Sequence, residues 1–405
     1  MRRQLGARPT LRSHFWQSLA NYAQQFFGLA IGVVLARLLH PEDFGVFAYA
    51  SSLLVLAVLP ANWSLGQDVL TASTNRRHVY REALAFAWKI VWIKALIITG
   101  LFSWFLWRRE FPLAFTIALC GYPMAAQDLV GLMRICLEGE GNFKVNLYSA
   151  LLTIGFSLTL GIPLALLGLG VYALALPAPV IWIAQLILYK KISGLSVWAV
   201  PMRSPLTTTI SRGFVLWLSS AAEQALSRVD KIFLGHFGST EALGNYNRAF
   251  NYAPLSHLVL NSLVANPTVS ALGRCANNTA RFRLIARSGA IVVGGSLLNF
   301  MVWWFFADPL VPWIFGSQWT EAIPLFRAFA SLSFAYAVFY LPTTFLLNQR
   351  RYAVLAIVRL VGLCLMIGLL LLPENRGDAV RMAYAVQLSF LIMAAALSVA
   401  ALWKK

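Results

Sequence analysis

Apolar segments as long as a membrane-spanning helix recur along the whole chain and restrict the folds open to it. A helix needs about 20 mainly apolar residues to cross the hydrocarbon core of a bilayer. Only 12% of the 405 residues are charged, against roughly 25% in an ordinary soluble domain. We therefore predict an all-α integral membrane protein. Its twelve predicted spans lie at residues 15–39, 44–66, 83–107, 112–137, 146–167, 171–189, 213–237, 242–272, 285–307, 321–348, 352–372 and 379–402.

The spans fall into two groups of six. The longest break between spans, residues 190–212, is rich in basic residues and prolines, as expected of a connector. We predict an N-terminal six-helix bundle at 1–189, a cytoplasmic linker at 190–212 and a C-terminal six-helix bundle at 213–405. Six is an even number, so both halves share one orientation and both termini are expected in the cytoplasm. The long N-terminal helix differs from the short apolar region of a cleavable signal peptide, so we expect it to be retained.

The two groups also carry a repeated sequence pattern. Residues 35–50, LARLLHPEDFGVFAYA, align with residues 234–249, LGHFGSTEALGNYNRA, at a constant separation of 199 residues. In this register Gly45 matches Gly244, and Gln24 matches Glu223. Because 199 is about half the chain length, the pattern indicates an internal duplication.

The basic residues indicate a membrane topology rather than nucleic-acid binding. The formal net charge is +18, yet the 33 lysines and arginines are not gathered into one soluble domain. With Arg287 and Arg381, at the ends of their spans, assigned to the neighbouring loops, 20 lie on one side of the membrane, 4 on the other and 9 within the spans. Because cytoplasmic loops carry an excess of lysine and arginine, we predict that the side with 20 basic residues faces the cytoplasm. The four cysteines have no metal-ligand spacing, which indicates neither a disulfide framework nor a zinc site.

The seventh span carries several ionisable residues in an otherwise apolar run. Charged groups at membrane depth are costly and usually line a wet path. Glu223, Ser227 and Asp230 share one helical face, and Arg228 and Lys231 lie on the neighbouring one. The alternative is that Asp230 is neutralised in a buried pair, either with Lys231 or with a cation on a facing helix.

Polar residues also form a stripe in the first span. Asn21, Gln24 and Gln25 follow spacings of three and four residues, together with Gly28 and Gly32. The two glycines form a small-residue motif that favours close approach of another helix.

Cations outnumber acids within the spans. Lys94 lies roughly eleven residues into its span, which places it about 16 Å deep, and Asp128 could pair with it or with Arg134. Arg37 and Arg248 lie nearer the outer ends, where snorkelling is an equally good explanation. The plausible intramembrane acids are Asp128, Glu223 and Asp230. The surplus of positive charge favours an anionic passenger.

Aromatic residues at 303–319 predict a belt at the outer membrane interface, with sugar stacking as the less favoured alternative. Phosphate loops, paired-histidine motifs and G-x-S-x-G elbows are absent from the sequence. No enzyme activity and no bound cofactor are therefore expected.

Three segments carry a resemblance to a known family: ARLLHPEDFGVFAYA, LEGEGNFK at 137–144, and SRVDKIFLGHFGSTEALGNYNRAF at 227–250. Their order and spacing resemble the Wzx-type polysaccharide flippases of the multidrug, oligosaccharidyl-lipid and polysaccharide exporter superfamily. The resemblance implies a V-shaped pair of six-helix bundles around a cationic cavity, although many relatives have fourteen helices. It also implies movement of undecaprenyl-diphosphate-linked oligosaccharide, the repeat unit of an O-antigen, capsule or exopolysaccharide, between leaflets of the bacterial inner membrane.

On that resemblance, the polar residues take roles in transport. Arg228, Lys231 and Lys94 would hold the diphosphate, with Arg37 and Arg248 on the outward route. Asn21, Gln24 and Gln25 would face the glycan, while coupling to H⁺ or Na⁺ would involve Glu223, Asp230 and Asp128. The expected partners are membrane lipids, a polysaccharide polymerase and glycosyltransferases, and no nucleic acid.

Three other functions remain open on the sequence. A drug or cation exporter of the same superfamily is disfavoured by the excess of cations. A membrane glycosyltransferase or polymerase acting on lipid-linked sugars should have a large catalytic loop, which the sequence lacks. A non-transporting scaffold or receptor would not need the duplicated polar interior.

Overall fold

The computed structural model describes residues 11–59, 69, 76–198, 207–255, 260, 264, 268, 271, 278–348 and 351–402, and within these residues the regular structure is helical. Two compact units are present. The first comprises Met1–His40 with Leu53–Gly213, and the second comprises Pro41–Ser52 with Phe214–Lys405.

The helices of the first half are α1 (Leu11–Leu38), α2 (Pro41–Val58), α3 (Arg76–Trp107), α4 (Phe111–Gly139), α5 (Lys144–Phe156), a π-helical turn (Ser157–Gly161), α6 (Ile162–Leu166), α7 (Tyr172–Ala175) and α8 (Pro177–Ser193). Those of the second half are α9 (Thr207–Leu226), α10 (Val229–Phe237), α11 (Thr240–Tyr252), α12 (Asn278–Phe315), a 3₁₀ helix (Ser317–Ala322), α13 (Ile323–Ala330), α14 (Leu332–Asn348), α15 (Tyr352–Leu371) and α16 (Ala379–Leu402).

Nine helical segments within the described residues are long and apolar enough to cross a membrane. They are Trp16–Leu38, Pro41–Val58, Arg77–Trp107, Phe111–Gly139, Lys144–Leu166, Tyr172–Ser193, Ala286–Phe315, Tyr352–Leu371 and Ala379–Ala400. The prediction of an all-α membrane protein is therefore confirmed, whereas the count of twelve spans is not.

The three remaining predicted spans coincide with interrupted or partly undescribed segments. Span 213–237 is broken between α9 and α10, and span 321–348 begins as a 3₁₀ helix and breaks again at Ser331. Span 242–272 is described up to residue 255, and most of its remaining residues lie outside the described part of the chain. Hydropathy does not detect such breaks because the flanking residues remain apolar.

In the first unit, α3 packs along α4, α4 packs against α8, and α1 lies against α5 and α6. Helix α8 begins with Pro177, whose fixed φ suits a first helical turn. It ends at Gly194, whose φ of 63° gives the left-handed cap that glycine adopts most readily.

The beginning of the predicted 190–212 linker is docked on α3. The hydroxyl of Tyr80 donates to the Ser196 carbonyl oxygen at 3.0 Å, and the indole nitrogen of Trp88 donates to the Val197 carbonyl oxygen at 2.8 Å. The rings of Trp88 and Trp198 are stacked, with centroids 5.8 Å apart. The linker prediction for 190–212 as a whole stays a prediction, because residues 199–206 lie outside the described residues.

The first part of α2, residues 41–52, groups with the second unit and packs on α11 there. A Cβ atom added to Gly45 would collide with the Thr240 carbonyl oxygen, and one added to Gly244 would collide with the Pro41 carbonyl oxygen. The two helix backbones therefore touch at a pair of glycines that the duplication register places at equivalent positions. The predicted close approach at Gly28 is not found: an added Cβ would meet no described atom within 4 Å.

Candidate functional site

The break between α9 and α10 places several charged side chains inside the second unit. Helix α9 ends at Leu226, and α10 begins at Val229. Arg228, with φ −131° and ψ −28°, is the residue that precedes α10. The break leaves the Ser227 carbonyl oxygen free to accept a hydrogen bond from the Lys231 ammonium at 2.8 Å. It also places Asp230 in the first turn of α10, where a helix terminus favours negative charge.

Asp230 and Lys231 form a buried ionic cluster with Tyr246 and Phe250. The side chain of Asp230 is fully buried, and that of Lys231 is 2% exposed. The Tyr246 hydroxyl donates to Asp230 Oδ2 at 2.7 Å, and the Lys231 ammonium lies 3.7 Å from Oδ1. The ammonium also lies 3.7 Å from the Phe250 ring centroid. The sequence alternative of a mutually neutralising pair is thus what the geometry shows.

A second ion pair joins α9 to α15. Arg359 Nη2 lies 3.0 Å from Glu223 Oε2, and Nη1 donates to the Ser219 hydroxyl at 2.8 Å. The arginine side chain is 6% exposed, whereas that of Glu223 is 58% exposed. Water or a ligand can therefore reach the carboxylate while the cation remains covered.

Arg248 is buried in a cage of aromatic rings. Its guanidinium carbon lies 3.9 Å from the ring centroid of Phe44, 5.1 Å from those of Tyr252 and Trp319, and 5.9 Å from that of Phe315. Nη1 donates to the Tyr252 hydroxyl at 3.3 Å, but Nε and Nη2 have no hydrogen-bond partner among the described residues. The cage leaves two donors of a buried cation unused.

This cage also changes the interpretation of the aromatic segment at 303–319. Phe315 and Trp319 are buried, as is Trp303, so these three do not belong to a belt at the membrane surface. Trp304, Phe305 and Trp313 are exposed and remain compatible with one.

In the first unit, Asp128 pairs with Lys94, one of the two cationic partners considered for it from the sequence. The ammonium donates to Asp128 Oδ2 at 2.7 Å, and the lysine side chain is 2% exposed against 33% for the aspartate. Arg134, the other candidate, pairs with Glu138 one turn along its own helix at 3.6 Å. As with Arg359 and Glu223, the cation is covered and the acid is open.

The polar stripe of α1 lies on its uncovered surface. Asn21, Gln24, Gln25 and Arg37 are all exposed, whereas Gln17, one turn earlier, accepts a hydrogen bond from the buried Asn146 of α5. Asn21, Gln24 and Gln25 are therefore available to a ligand or to lipid rather than covered by packing.

The structure thus brings some predicted site residues together within each unit. Arg228, Asp230 and Lys231 meet at the break after α9, with Glu223 one turn before it, and Lys94 meets Asp128 in the first unit. Arg248 lies apart in its cage, and the exposed residues of α1 form a separate face.

Sequence reasoning missed the partners that come from other helices. Tyr246 for Asp230 and Arg359 for Glu223 carry no spacing signal toward those groups. Tyr252, by contrast, lies one turn from Arg248 on the same helix, and that local spacing could have indicated it. Arg359 lies within the predicted apolar span 352–372, and an arginine there was the one signal that an acidic partner was near.

A protein-family model described as "Polysaccharide biosynthesis protein" matches residues 34–324 of the chain. Among curated proteins, the chain is 23% identical to the succinoglycan biosynthesis transport protein ExoT of Rhizobium meliloti, over 79% of this chain and 65% of that protein. It is 28% identical to the probable flippase AglR of Haloferax volcanii, over 68% of this chain and 58% of that protein. The chain therefore spans less than two thirds of the length of these relatives.

Solved structures of membrane transporters share the fold. An inward-facing multidrug resistance MATE transporter of the MOP superfamily superposes with a TM-score of 0.70 at 14% identity, covering 93% of each chain. The lipid II flippase MurJ in an inward closed conformation gives a TM-score of 0.68 at 12% identity, covering 95% of this chain and 87% of that one. At such low identity these likenesses establish the fold alone.

Proposed function

Because the chain belongs to the polysaccharide biosynthesis protein family, we propose that it is a transporter that moves undecaprenyl-diphosphate-linked oligosaccharide from the inner to the outer leaflet of the bacterial cytoplasmic membrane. A transport protein and a probable flippase among its relatives support a transport role over an enzymatic one. The fold is shared with a drug transporter as well as with a lipid flippase. The fold alone therefore does not distinguish a drug from a lipid-linked oligosaccharide as the cargo.

The observation that carries the choice of cargo is an arginine at the helix break with an uncommitted donor. Arg228 is half-buried, and its Nε has no hydrogen-bond partner among the described residues. A guanidinium binds phosphate oxygens with well-defined geometry and stays charged at any physiological pH. A cationic drug would be repelled by this group, whereas a diphosphate would be held by it.

The other cations take secondary roles in this proposal. Lys94 and Lys231 are each committed to a carboxylate, so either would reach a diphosphate only by leaving its partner. Arg37 is exposed and Arg248 has two unused donors, and both suit an anion on its way outward. The exposed amides of Asn21, Gln24 and Gln25 suit the hydroxyl groups of a glycan.

Coupling to an ion would involve the three membrane acids. Asp128 and Glu223 are partly open while their cationic partners are covered, and Asp230 is closed. A carboxylate whose access alternates between the two sides can bias the equilibrium between inward and outward states. Glycosyltransferases would supply the lipid-linked repeat unit, and a polymerase would consume it on the far side.

The test uses a strain that lacks this chain and is complemented with variants. We expect the wild type to restore surface polymer, and Arg228→Ala to reduce it at least tenfold while the protein remains in the membrane. Completed lipid-linked repeat units should then accumulate where an enzyme added outside the cell cannot reach them. Lys89→Ala, which removes an exposed cation of α3, is the matched control and should restore polymer fully.

Three outcomes would contradict the proposal. Normal polymer with Arg228→Ala would remove this arginine from the cargo site. Repeat units left unpolymerised on the outer face of the deletion strain would instead indicate a polymerase, and incomplete units would indicate a glycosyltransferase.

A further inference from the structure

The Lys231 ammonium lies beside two oxygen groups of the kinds that coordinate monovalent cations in membrane proteins. It donates a hydrogen bond to the Ser227 backbone carbonyl oxygen at 2.8 Å and faces a carboxylate oxygen of Asp230 at 3.7 Å. The carbonyl belongs to the open C-terminal end of a broken helix. In discontinuous membrane helices such ends are where Na⁺ is commonly coordinated, together with carboxylates.

The carboxylate is otherwise incompletely satisfied. Tyr246 donates to Oδ2 at 2.7 Å. Oδ1 has no hydrogen bond from any described residue, since 3.7 Å is beyond hydrogen-bond length. The charged groups that face Asp230 are Lys231 and Arg228, and the hydroxyls are those of Tyr246 and Tyr336. Without Lys231, a fully buried carboxylate would retain one bare oxygen beside a bare carbonyl group.

The helical frame itself does not require these charges. In the register of the duplication, Asp230 corresponds to Ile31, Lys231 to Gly32 and Tyr246 to Phe47, each separated by 199 residues. The equivalent positions of the first half are thus apolar or small. The acid, the lysine and the hydroxyl occur together only in the second half of this duplicated pattern.

We propose that Lys231 is a tethered cation that occupies the place of a coupling sodium ion at Asp230. Its ammonium supplies the positive charge that a bound Na⁺ would bring, so the chain binds no Na⁺ at this carboxylate and transport does not depend on Na⁺. This inference rests on the proposed transport function only for its second part, because occupancy of the site is a property of the protein alone.

The experiment measures sodium-specific stabilisation of purified protein in detergent. A ligand that binds the folded state raises the transition temperature in proportion to the logarithm of its concentration over its Kd. We expect the transition temperature of the wild type to be the same in NaCl and in KCl of equal concentration. Lys231→Ala should be less stable in KCl and should regain about 2 °C or more in NaCl.

A double variant and a control locate the effect. In Lys231→Ala with Asp230→Asn, the difference between NaCl and KCl should disappear, because the carboxylate is gone. Lys89→Ala, which removes an exposed lysine, should behave as the wild type. Lys231→Met also removes the ammonium group but keeps the length of the side chain. It replaces Lys231→Ala in the experiment if Lys231→Ala does not give a monodisperse protein.

Two results would overturn the inference. The first is sodium-specific stabilisation of the wild type that Asp230→Asn abolishes, since Na⁺ would then bind beside the lysine. The second is a folded Lys231→Ala or Lys231→Met protein with equal stability in the two salts. In a parallel assay, wild-type polymer formation should be unchanged in sodium-free medium; failure of the wild type to restore polymer in any medium would count against the transport function and leave the binding result standing.

Discussion

At the scale of single residues, Arg248 is a buried cation without an acidic partner among the described residues. Removing a charge from water costs several kcal/mol unless a partner compensates for it. Arg248 has aromatic faces and one hydroxyl around it but no carboxylate within the described contacts. Cation–π contacts supply about 0.5–2 kcal/mol each, which is less than a well-placed carboxylate would give. In the proposed transporter, we therefore expect an anionic cargo to supply the missing partner of Arg248.

Replacing Arg248 tests this explanation. Methionine has similar length and no charge, so Arg248→Met should leave the transition temperature in detergent unchanged or raised. Surface polymer should fall at least tenfold, because the two unused donors are lost. Arg327→Met, which removes a partly exposed arginine paired with Asp308, should keep polymer formation. A large loss of stability with Arg248→Met would instead assign the arginine to packing.

Tyr246 offers a second prediction at this scale. Tyr246→Phe removes the hydroxyl that donates to Asp230 Oδ2. The oxygen of this fully buried carboxylate then loses its hydrogen bond. An unsatisfied buried group costs about 1–3 kcal/mol, more when charged. We expect a lower transition temperature in detergent, together with a normal one for Tyr384→Phe, which alters an exposed tyrosine. Equal stability of the two variants would contradict the hydrogen bond.

At the scale of elements, two equivalent helices meet where the backbone has no room for a side chain. Pro41 begins α2 with Glu42 and Asp43 in its first turn, and Ser239 caps α11 by accepting from the Ala242 amide at 3.0 Å. Both helices therefore start at fixed positions. Beyond the two glycines, the rings of Phe44 and Trp319 pack with their centroids 5.5 Å apart. The Thr240 hydroxyl donates to Glu42 Oε1 at 3.4 Å.

Alanine substitutions at this crossing should therefore be costly. Gly45→Ala and Gly244→Ala each place a methyl group on a carbonyl oxygen of the facing helix, so the helices must separate and lose their side-chain contacts. Each should lower the transition temperature clearly and reduce surface polymer. Gly28→Ala and Gly131→Ala are the controls: both glycines are in helices with open space around them, and alanine favours a helix by about 1 kcal/mol. Equal behaviour of all four variants would show that the crossing is not tight.

The same elements show what sequence patterns can and cannot reveal. The small-residue motif at Gly28 predicted a close helix contact and was wrong there, while Gly45 and Gly244 were visible only as matched positions of the duplication. Hydropathy predicted most spans because it measures what lipid requires, and it passed over the break at Ser227 because Val229 and Ile232 continue the apolar pattern. Local pairs such as Asp230 with Lys231 were among the sequence alternatives. Partners on distant helices depend on tertiary packing, which no local spacing encodes.

At the scale of the whole molecule, the distribution of charge makes a prediction about orientation. Of the 33 basic residues, 20 lie in the loops predicted to face the cytoplasm and 4 in those predicted to face outward, so the asymmetry should fix one orientation. The turn before α5 then lies inside and the turn before α16 lies outside. Glu140 and Glu374 are exposed acidic residues on these two turns, which makes them a matched pair for labelling.

Single cysteines at these two positions would settle the orientation. In a background with Cys120, Cys136, Cys275 and Cys364 replaced, Glu374→Cys should react in intact cells with a maleimide that cannot cross the membrane. Glu140→Cys should react only after the cells are opened. Because both halves have the same predicted orientation, reversal of this pattern would place the basic loops outside.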